Sequence, residues 1–480
     1  MQTVKLEIKD EVNCKFHGLD LPTRKALMKK FEFEEPGARF RPAFKLGRWN
    51  GKVTYFTLGG STYINLLSEI LPLIEEAGYE IELEDHRTYQ TSFDFTQVDE
   101  NTLASHAWPQ GHEKAGQPIV LRDYQIKVIN EFLTNPQSIQ EVATGAGKTI
   151  TTAALSYSVQ NYGRSLVIVP TKTLVVQTEE DYKNVGLDVG VYFGDRKDYN
   201  KTHTICTWQS LNKLLEEDSE LTLEQFAEGV VCIIVDEVHS AKASVLKSML
   251  TGALSKIPIR WGLTGTIPKS DYEALALFVS IGNLTGKLTA RELQERGVLA
   301  NCHVNIVQLC DNGVFKNYQS ELKFLLEYQP RLDKIAELIN GIRTTGNTLV
   351  LVDRIGAGKD LLSKIPDSVF VSGETSLTER REEYAEIKTS DNKVIVATYG
   401  VASVGINIPR IFNLVLIEPG KSFVRVIQSI GRGIRKAEDK DSVEIWDIAS
   451  TCKFAKRHLT QRKSFYKEAK YPFTLEKLRY

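Results

Sequence analysis

Between residue 120 and the C-terminal region, short apolar runs alternate with segments of helical spacing. Residues 165–170 (SLVIVP), 202–207, 230–235 (VVCIIV), 348–353 (TLVLVD), 369–373 and 394–398 (VIVAT) are rich in β-branched residues and of strand length. Several are apolar throughout rather than alternating, the pattern of strands covered on both faces. Helical stretches at 150–160, from 173 onward and across 318–343 lie between them. The pattern predicts a parallel sheet flanked by helices, and the strands beyond residue 343 predict a second one.

The first 85 or so residues follow another rhythm. Residues 4–8 alternate as a short strand, and residues 21–33 have helical spacing, opening after Asp20 with Pro22 in the first turn. Asn50-Gly51 predicts a tight hairpin with a strand on each side. Residues 63–79 read as a helix and 80–84 as a strand, completing a small α+β unit. Residues 101–117, polar and carrying Pro109, Gly111 and Gly116, mark a domain boundary. The expected divisions are 1–110, 118–282, 283–450 and a basic tail, 451–480.

Composition adds bounds. A chain of 480 residues, 42% hydrophobic and 25% charged, has room for several cores and the balance of an ordinary soluble protein. No apolar run approaches the ~18 residues needed to span a bilayer, and the N-terminal residues lack a signal-peptide core, so a cytoplasmic location is expected. The six cysteines are scattered without a CxxC pair, which predicts buried thiols rather than disulfides or a zinc site. With a net charge of −1, attraction to nucleic acid must come from local basic surfaces. Two stand out. Residues 24–52 hold nine Lys/Arg against three Glu, with Phe40, Phe44, Trp49 and Tyr55 interleaved. Basic residues there, Arg41 and Arg48 among them, suit phosphates, and Trp49 suits a base or a junction, although the aromatics read mainly as the small domain's core. Residues 453–480 hold nine Lys/Arg against two Glu, and either pack back on the preceding domain or extend a nucleic-acid track.

The chemistry centres on residues 141–150, EVATGAGKTI, where a strand turns into a helix. In Ala143, Thr144, Gly145, Ala146 and Gly147 the glycines let successive N–H groups face phosphate oxygens at a helix N-terminus. Lys148 would reach the β/γ-phosphates, and the Thr149 hydroxyl would help hold Mg²⁺. A second glycine-lysine stretch, Gly356 to Asp360, puts an acid where that hydroxyl belongs and reads as an ordinary helix start. Upstream, the Gln125 amide suits an adenine edge, with Arg122 or Tyr124 flanking the base. The strand 230–235 runs into Asp236-Glu237-Val238-His239. A carboxylate there, on a strand expected beside the one carrying the glycine loop, suits a second Mg²⁺ contact from Asp236. Glu237 would deprotonate the attacking water, and His239 would sense the γ-phosphate. Arg432 and Arg435 share a helical face with Gln428 one turn earlier, a spacing suited to delivering a guanidinium to a transferring phosphoryl group. ATP and Mg²⁺ are the expected ligands.

The ordered set ATGAGKT, IVPTKTL, CTWQSL, DEVH and LTGT, followed by QSIGRGIR, resembles superfamily 2 helicases. The resemblance implies an α/β fold of two tandem RecA-like parallel-sheet lobes behind the small N-terminal α+β domain. It implies that Thr264 and Thr266 couple hydrolysis to nucleic-acid movement, and that Thr171, Lys172, Thr207, Gln209 and Thr398 touch the tracked strand. It also assigns Gly405 and Asn407 to the nucleotide, although Asn stands where the family often has an acid. The stretch FEFEEPGARFRPAFKLGRWNGKV extends the similarity to the phage UvsW-type recombination helicases. That implies a DNA helicase remodelling branched DNA by Holliday-junction branch migration and fork regression, in phage recombination, repair and replication. A monomer acting with single-strand-binding or recombination proteins is expected. Two other readings stay open: a double-strand translocase or RNA unwinder with the same motor, and an ATP-gated strand-binding or annealing protein with vestigial hydrolysis.

Overall fold

The computed structural model describes the chain except residues 1, 90–92, 111, 113, 217–220, 241–242, 269, 376, 388, 402–409 and 421–439. It divides into two compact units, residues 1–142 with 148–287, and residues 143–147 with 288–480.

In the first unit, β1 (Gln2–Ile8) buries Val4, Leu6 and Ile8 on one face, as its alternation demands. It pairs antiparallel with β2 (Asn13–His17). Helix α1 (Leu21–Lys30) opens on Asp20, whose carboxylate accepts from the Thr23 N–H at 2.8 Å. It ends sooner than its spacing suggests, because β3 (Glu32–Glu34) takes over. The Asn50-Gly51 hairpin does not form. Proline at the helix start instead leads the chain into a short α2 (Pro42–Lys45), and β4 (Lys52–Thr54) pairs antiparallel with β3. Gly51 alone takes positive φ, while the Asn50 side chain accepts from the Lys52 N–H at 3.0 Å. Then come β5 (Ser61–Tyr63), α3 (Leu67–Glu76) and β6 (Tyr79–Asp85), giving a sheet ordered β5-β2-β1-β6. The aromatics divide. Tyr55 and Phe56 are core, but Phe40 is 68% and Phe44 38% exposed, contrary to the expectation that the interleaved rings are mainly structural.

The rest of this unit is built from α4 (Asp123–Thr134), β7 (Gln137–Val142), α5 (Lys148–Val159), β8 (Arg164–Val169), α6 (Lys172–Asn184), β9 (Val189–Phe193), β10 (Arg196–Lys197), β11 (His203–Thr207), α7 (Trp208–Lys213), α8 (Leu223–Phe226), β12 (Val230–Asp236), α9 (Ala243–Thr251), β13 (Ile259–Thr264), α10 (Asp271–Ser280) and β14 (Asn283–Leu288). The sheet runs β10-β9-β11-β8-β12-β13-β7-β14, with parallel pairing from β9 through β7. The N-terminal domain shares a core with this lobe: Val279, Leu275 and Phe278 of α10 pack among Val4, Phe16, Leu66 and Ile70.

The second unit continues with α11 (Ala290–Glu295), β15 (Asn301–Leu309), α12 (Tyr318–Glu327), α13 (Gln329–Ile342), β16 (Thr348–Val352), α14 (Ile355–Lys364), β17 (Ser368–Val371), α15 (Leu377–Ile387), β18 (Val394–Thr398), β19 (Asn413–Ile417), β20 (Ser442–Ser450), α16 (Lys453–Glu468) and β21 (Phe473–Leu478). Its sheet is ordered β17-β18-β16-β19-β20-β15-β21, every adjacent pair parallel. The stretch 318–343 is two helices broken at extended Tyr328, since Pro330 in the first turn of α13 cannot continue a helix from before it. The glycine-lysine stretch from Gly356 is an ordinary helical turn of α14. The basic C-terminal segment packs back: β21 extends the sheet beside β15, and on α16 the buried Arg462 forms two 2.8 Å bonds to Asp447. Both units are therefore RecA-like parallel-sheet lobes, the first carrying the small α+β domain.

Candidate functional site

Strand β7 ends at Val142, and residues 143–147 lead directly into α5. Gly145 and Gly147 sit at φ +91° and +82°, where a side chain would be strained, so the curl around this loop needs glycine. Lys148 opens the helix, with Thr149 beside it in the first turn. Its ammonium lies 2.6 Å from a Glu237 carboxylate oxygen, with both side chains only 10% exposed.

Glu237 follows immediately on β12, whose last residue is Asp236. The sheet order separates β12 from β7 by β13, so the acids do not lie on the strand next to the glycine loop. Two strand spacings are roughly 10 Å, a gap that the long side chains of Lys148 and Glu237 bridge. A turn after the strand holds Glu237 at φ +51°, while Asp236 accepts from the Glu237 N–H at 2.9 Å. The intervening strand contributes as well. Gly265 N–H donates to the second Glu237 oxygen at 3.2 Å, and His239 Nδ1 lies 2.5 Å from the Thr264 hydroxyl. Thr264 donates in turn to the Thr266 carbonyl at 2.7 Å. The Thr266 hydroxyl is buried without a hydrogen-bond partner among the described residues. Asp-Glu-x-His and Leu-Thr-Gly-Thr are thus one hydrogen-bonded assembly.

Electrostatics fix the protonation states. Burial would raise the Glu237 pKa, but the Lys148 ammonium, helped by the Gly265 N–H, holds the carboxyl well below its usual range. For His239, burial lowers the pKa more than Glu237 raises it, which favours a neutral imidazole. The arrangement is an ionised base in contact with a cation, wired through a neutral histidine to a threonine turn.

Other expected residues fall into separate groups. Thr171 caps α6, accepting from the Leu174 N–H at 3.4 Å, and Lys172 is the first helical residue. Thr207 caps α7, accepting from the Ser210 N–H at 3.3 Å, with Gln209 in its first turn. Their strands β8 and β11 are neighbours, with Thr207 opposite Val169, so the structure brings these four residues to one stretch of the sheet's C-terminal edge. Gln125 accepts from the Arg122 N–H at 3.0 Å in a capping box at the start of α4, and the Arg122 guanidinium donates to Tyr124. Arg41 pairs with Glu35 and lies 5.6 Å from the Trp49 ring centre, beside exposed Arg48. Thr398 ends β18 in the second unit. Gly405, Asn407, Gln428, Arg432 and Arg435 lie outside the described residues. Two features went unread in the sequence. The hydrogen bond from the Gly265 N–H to Glu237 joins residues 28 apart, which no local pattern reports. The turn before β10 sets Arg196 and Lys197 at the sheet edge, signalled only by the string GDRKD.

Residues 118–269 match the family described as the type III restriction enzyme res subunit, and residues 331–437 match the helicase conserved C-terminal domain. With a glycine loop and Asp-Glu-x-His in a first RecA-like lobe and a helicase domain in the second, the chain belongs to the superfamily 2 ATP-dependent helicases. Within that superfamily it is UvsW-like. It is similar to the ATP-dependent DNA helicase uvsW of Enterobacteria phage T4, 26% identical over 459 residues, covering 91% of this chain and 88% of that protein. It is 24% identical to the DNA 3'-5' helicase XPB of Kineococcus radiotolerans, covering 74% of this chain and 64% of that protein. Its fold is also similar to that of the ATP-dependent type ISP restriction-modification enzyme LlaBIII bound to DNA, with TM-score 0.58 and 14% identity, covering 86% of this chain and 36% of that one. Among the described residues no helix is long and apolar enough to cross a membrane.

Proposed function

We propose that this helicase acts on branched DNA, migrating Holliday junctions and regressing forks in phage recombination, repair and replication. The observation that carries the reading is the extent of the similarity to the T4 protein, which spans most of both chains. It is supported by the exposed basic and aromatic tip around Phe40, Phe44 and Arg48.

In hydrolysis, Lys148 binds the β/γ-phosphates. An incoming phosphate competes with Glu237 for the ammonium, so nucleotide binding frees the carboxylate to take a proton from the attacking water. Gly265 keeps that carboxylate aimed, and His239 passes its state to Thr264. The donors suit Mg²⁺: a carboxylate on Asp236 and a hydroxyl on Thr149 are hard oxygen ligands, and this ion is ordinarily held by one or two carboxylates plus substrate phosphates. Mg²⁺ would neutralise phosphate charge. Arg432 and Arg435, with Gln428, are assigned to charge on the transferring phosphoryl group, and Gly405 and Asn407 to nucleotide contact. Gln125 and Arg122 face the base. Thr171, Lys172, Thr207, Gln209 and Thr398 hold the tracked strand, and Arg41, Arg48 and Trp49 meet the junction. The protein works as a monomer in the host cytoplasm, alongside single-strand-binding or recombination proteins.

ATPase and strand-displacement assays across forks, four-way junctions, blunt duplexes and RNA hybrids test the reading. Forks and four-way junctions are expected to stimulate most. Equal or greater stimulation by blunt duplex would favour a translocase, the activity named for the similar XPB2 of Sulfurisphaera tokodaii. Preference for RNA hybrids would overturn a DNA substrate.

A further inference from the structure

Lys247, in the second turn of α9, reaches into the N-terminal domain. Its ammonium lies 4.1 Å from the centre of the Tyr55 ring and 5.3 Å from that of Tyr63. Among the described residues no carboxylate pairs with it, and burial lowers its pKa to about 8. The charge is therefore held by two aromatic faces, an interaction that strengthens as water is excluded.

The surroundings give that interaction a use. At its C-terminal end α9 is gripped by the same domain: Asn13 donates to the Thr251 carbonyl at 2.9 Å, and Ser255, just beyond, donates to Asp10 at 2.9 Å. At its other end α9 opens four residues after His239. On the domain side, Tyr55 follows directly on β4, and the Trp49 indole donates to the carbonyl of Lys52, the first residue of that strand, at 2.8 Å. One short strand thus separates the basic and aromatic tip from the caged lysine, and the lysine lies ten residues after Glu237 in the sequence.

We propose that Lys247 is a positioning residue through which the N-terminal domain sets the rate of hydrolysis, its packing against Tyr55 and Tyr63 carrying DNA engagement at the tip into α9 and so to Asp236 and Glu237. This rests on the reading that the tip engages branched DNA. The test uses the full chain and compares the wild type, Lys247→Met, Lys247→Arg and the double variant Lys45→Ala/Arg48→Ala, which removes two exposed basic side chains of the tip. ATPase is measured without DNA, with a single-stranded oligonucleotide and with a fork, together with fork affinity and thermal midpoint.

In Lys247→Met, which keeps length but not charge, hydrolysis without DNA and fork affinity should stay within about twofold of wild type, while fork-stimulated kcat falls about 3- to 30-fold. Lys247→Arg, which still lies over the rings as a cation, should restore stimulation. Full fork stimulation in the Met variant overturns the coupling. So does loss of stimulation in both variants alongside a lower thermal midpoint, which would assign Lys247 to stability alone. The double variant separates the two readings. If it binds forks as tightly as wild type, the tip reading fails and the proposal with it. If it loses fork affinity while Lys247→Met is fully stimulated, the tip reading stands and the coupling alone fails.

Discussion

Lys148 and Glu237 answer for each other's charge, so neither can be changed alone without leaving an ion buried. Glu237→Gln keeps the shape and the Gly265 bond but removes the base. Hydrolysis should fall by about 10²- to 10⁴-fold while ATP binding persists, as single-turnover assays beside nucleotide titration would show. The same pair leaves a mark on acid stability. Its carboxyl titrates near 4.5 when unperturbed but at about 2 in the folded chain. In that window the unfolded state binds the extra proton, so stability rises with pH there. Its contribution is full above about 4.5 and is lost as pH falls toward about 2. Urea midpoints of wild type and Glu237→Gln should therefore converge as pH is lowered through that window; a constant difference would deny the depressed titration. That Lys148 and Glu237 belong to one site was legible from residue type and order. Their pairing was not, because it joins residues 89 apart that follow strands which are not neighbours.

Among the elements, the C-terminal segment shows best what charge leaves undecided. Nine basic residues in residues 453–480 left packing back and extending a nucleic-acid track equally open, and the structure takes the first: Arg462 is buried against Asp447, with Tyr466 donating to the same carboxylate at 2.7 Å. Arg462→Met should cost about 3–5 kcal/mol in chemical denaturation, because Asp447 is left as an uncompensated buried charge. A loss below about 1 kcal/mol would mean that the pair is not buried in solution. The tip of the N-terminal domain reverses the lesson, since its rings look like core and Phe40 and Phe44 are exposed. Phe40→Ala with Phe44→Ala should leave the thermal midpoint within about 2 °C, given the small effect of surface substitutions. If the rings stack on bases, fork affinity should weaken by about 1–3 kcal/mol for each base left unstacked. Anisotropy titration with a fork would read it, and unchanged affinity would remove the rings from the interface. Spacing alone cannot decide whether an aromatic faces in or out when its element is a short irregular turn.

For the whole molecule, the shared core between the N-terminal domain and the first lobe decides what a truncation means. Removing residues 1–116 would uncover Leu275, Phe278 and Val279 and strip Asn13 from Thr251. Each apolar side chain uncovered costs about 1.5–3 kcal/mol, so the truncated chain should unfold at lower denaturant and bind an apolar dye. Its ATPase would then report on stability as much as on DNA engagement, and a truncated chain as stable as the full one would refute the shared core. The sequence by itself determined the class of machine. Phosphate binding, acid-base chemistry and charge stabilisation each require particular residue types in a particular order, and alternating strand and helix patterns allow little besides parallel sheets. Only the tertiary structure decided which strand lies between the acids and the glycine loop, that the basic tail folds into a helix and an edge strand, and that the first domain is welded to the lobe behind it. Those outcomes depend on interactions between residues tens to hundreds of positions apart, where the energy lies in burial and pairing, and no local pattern records which partner is chosen.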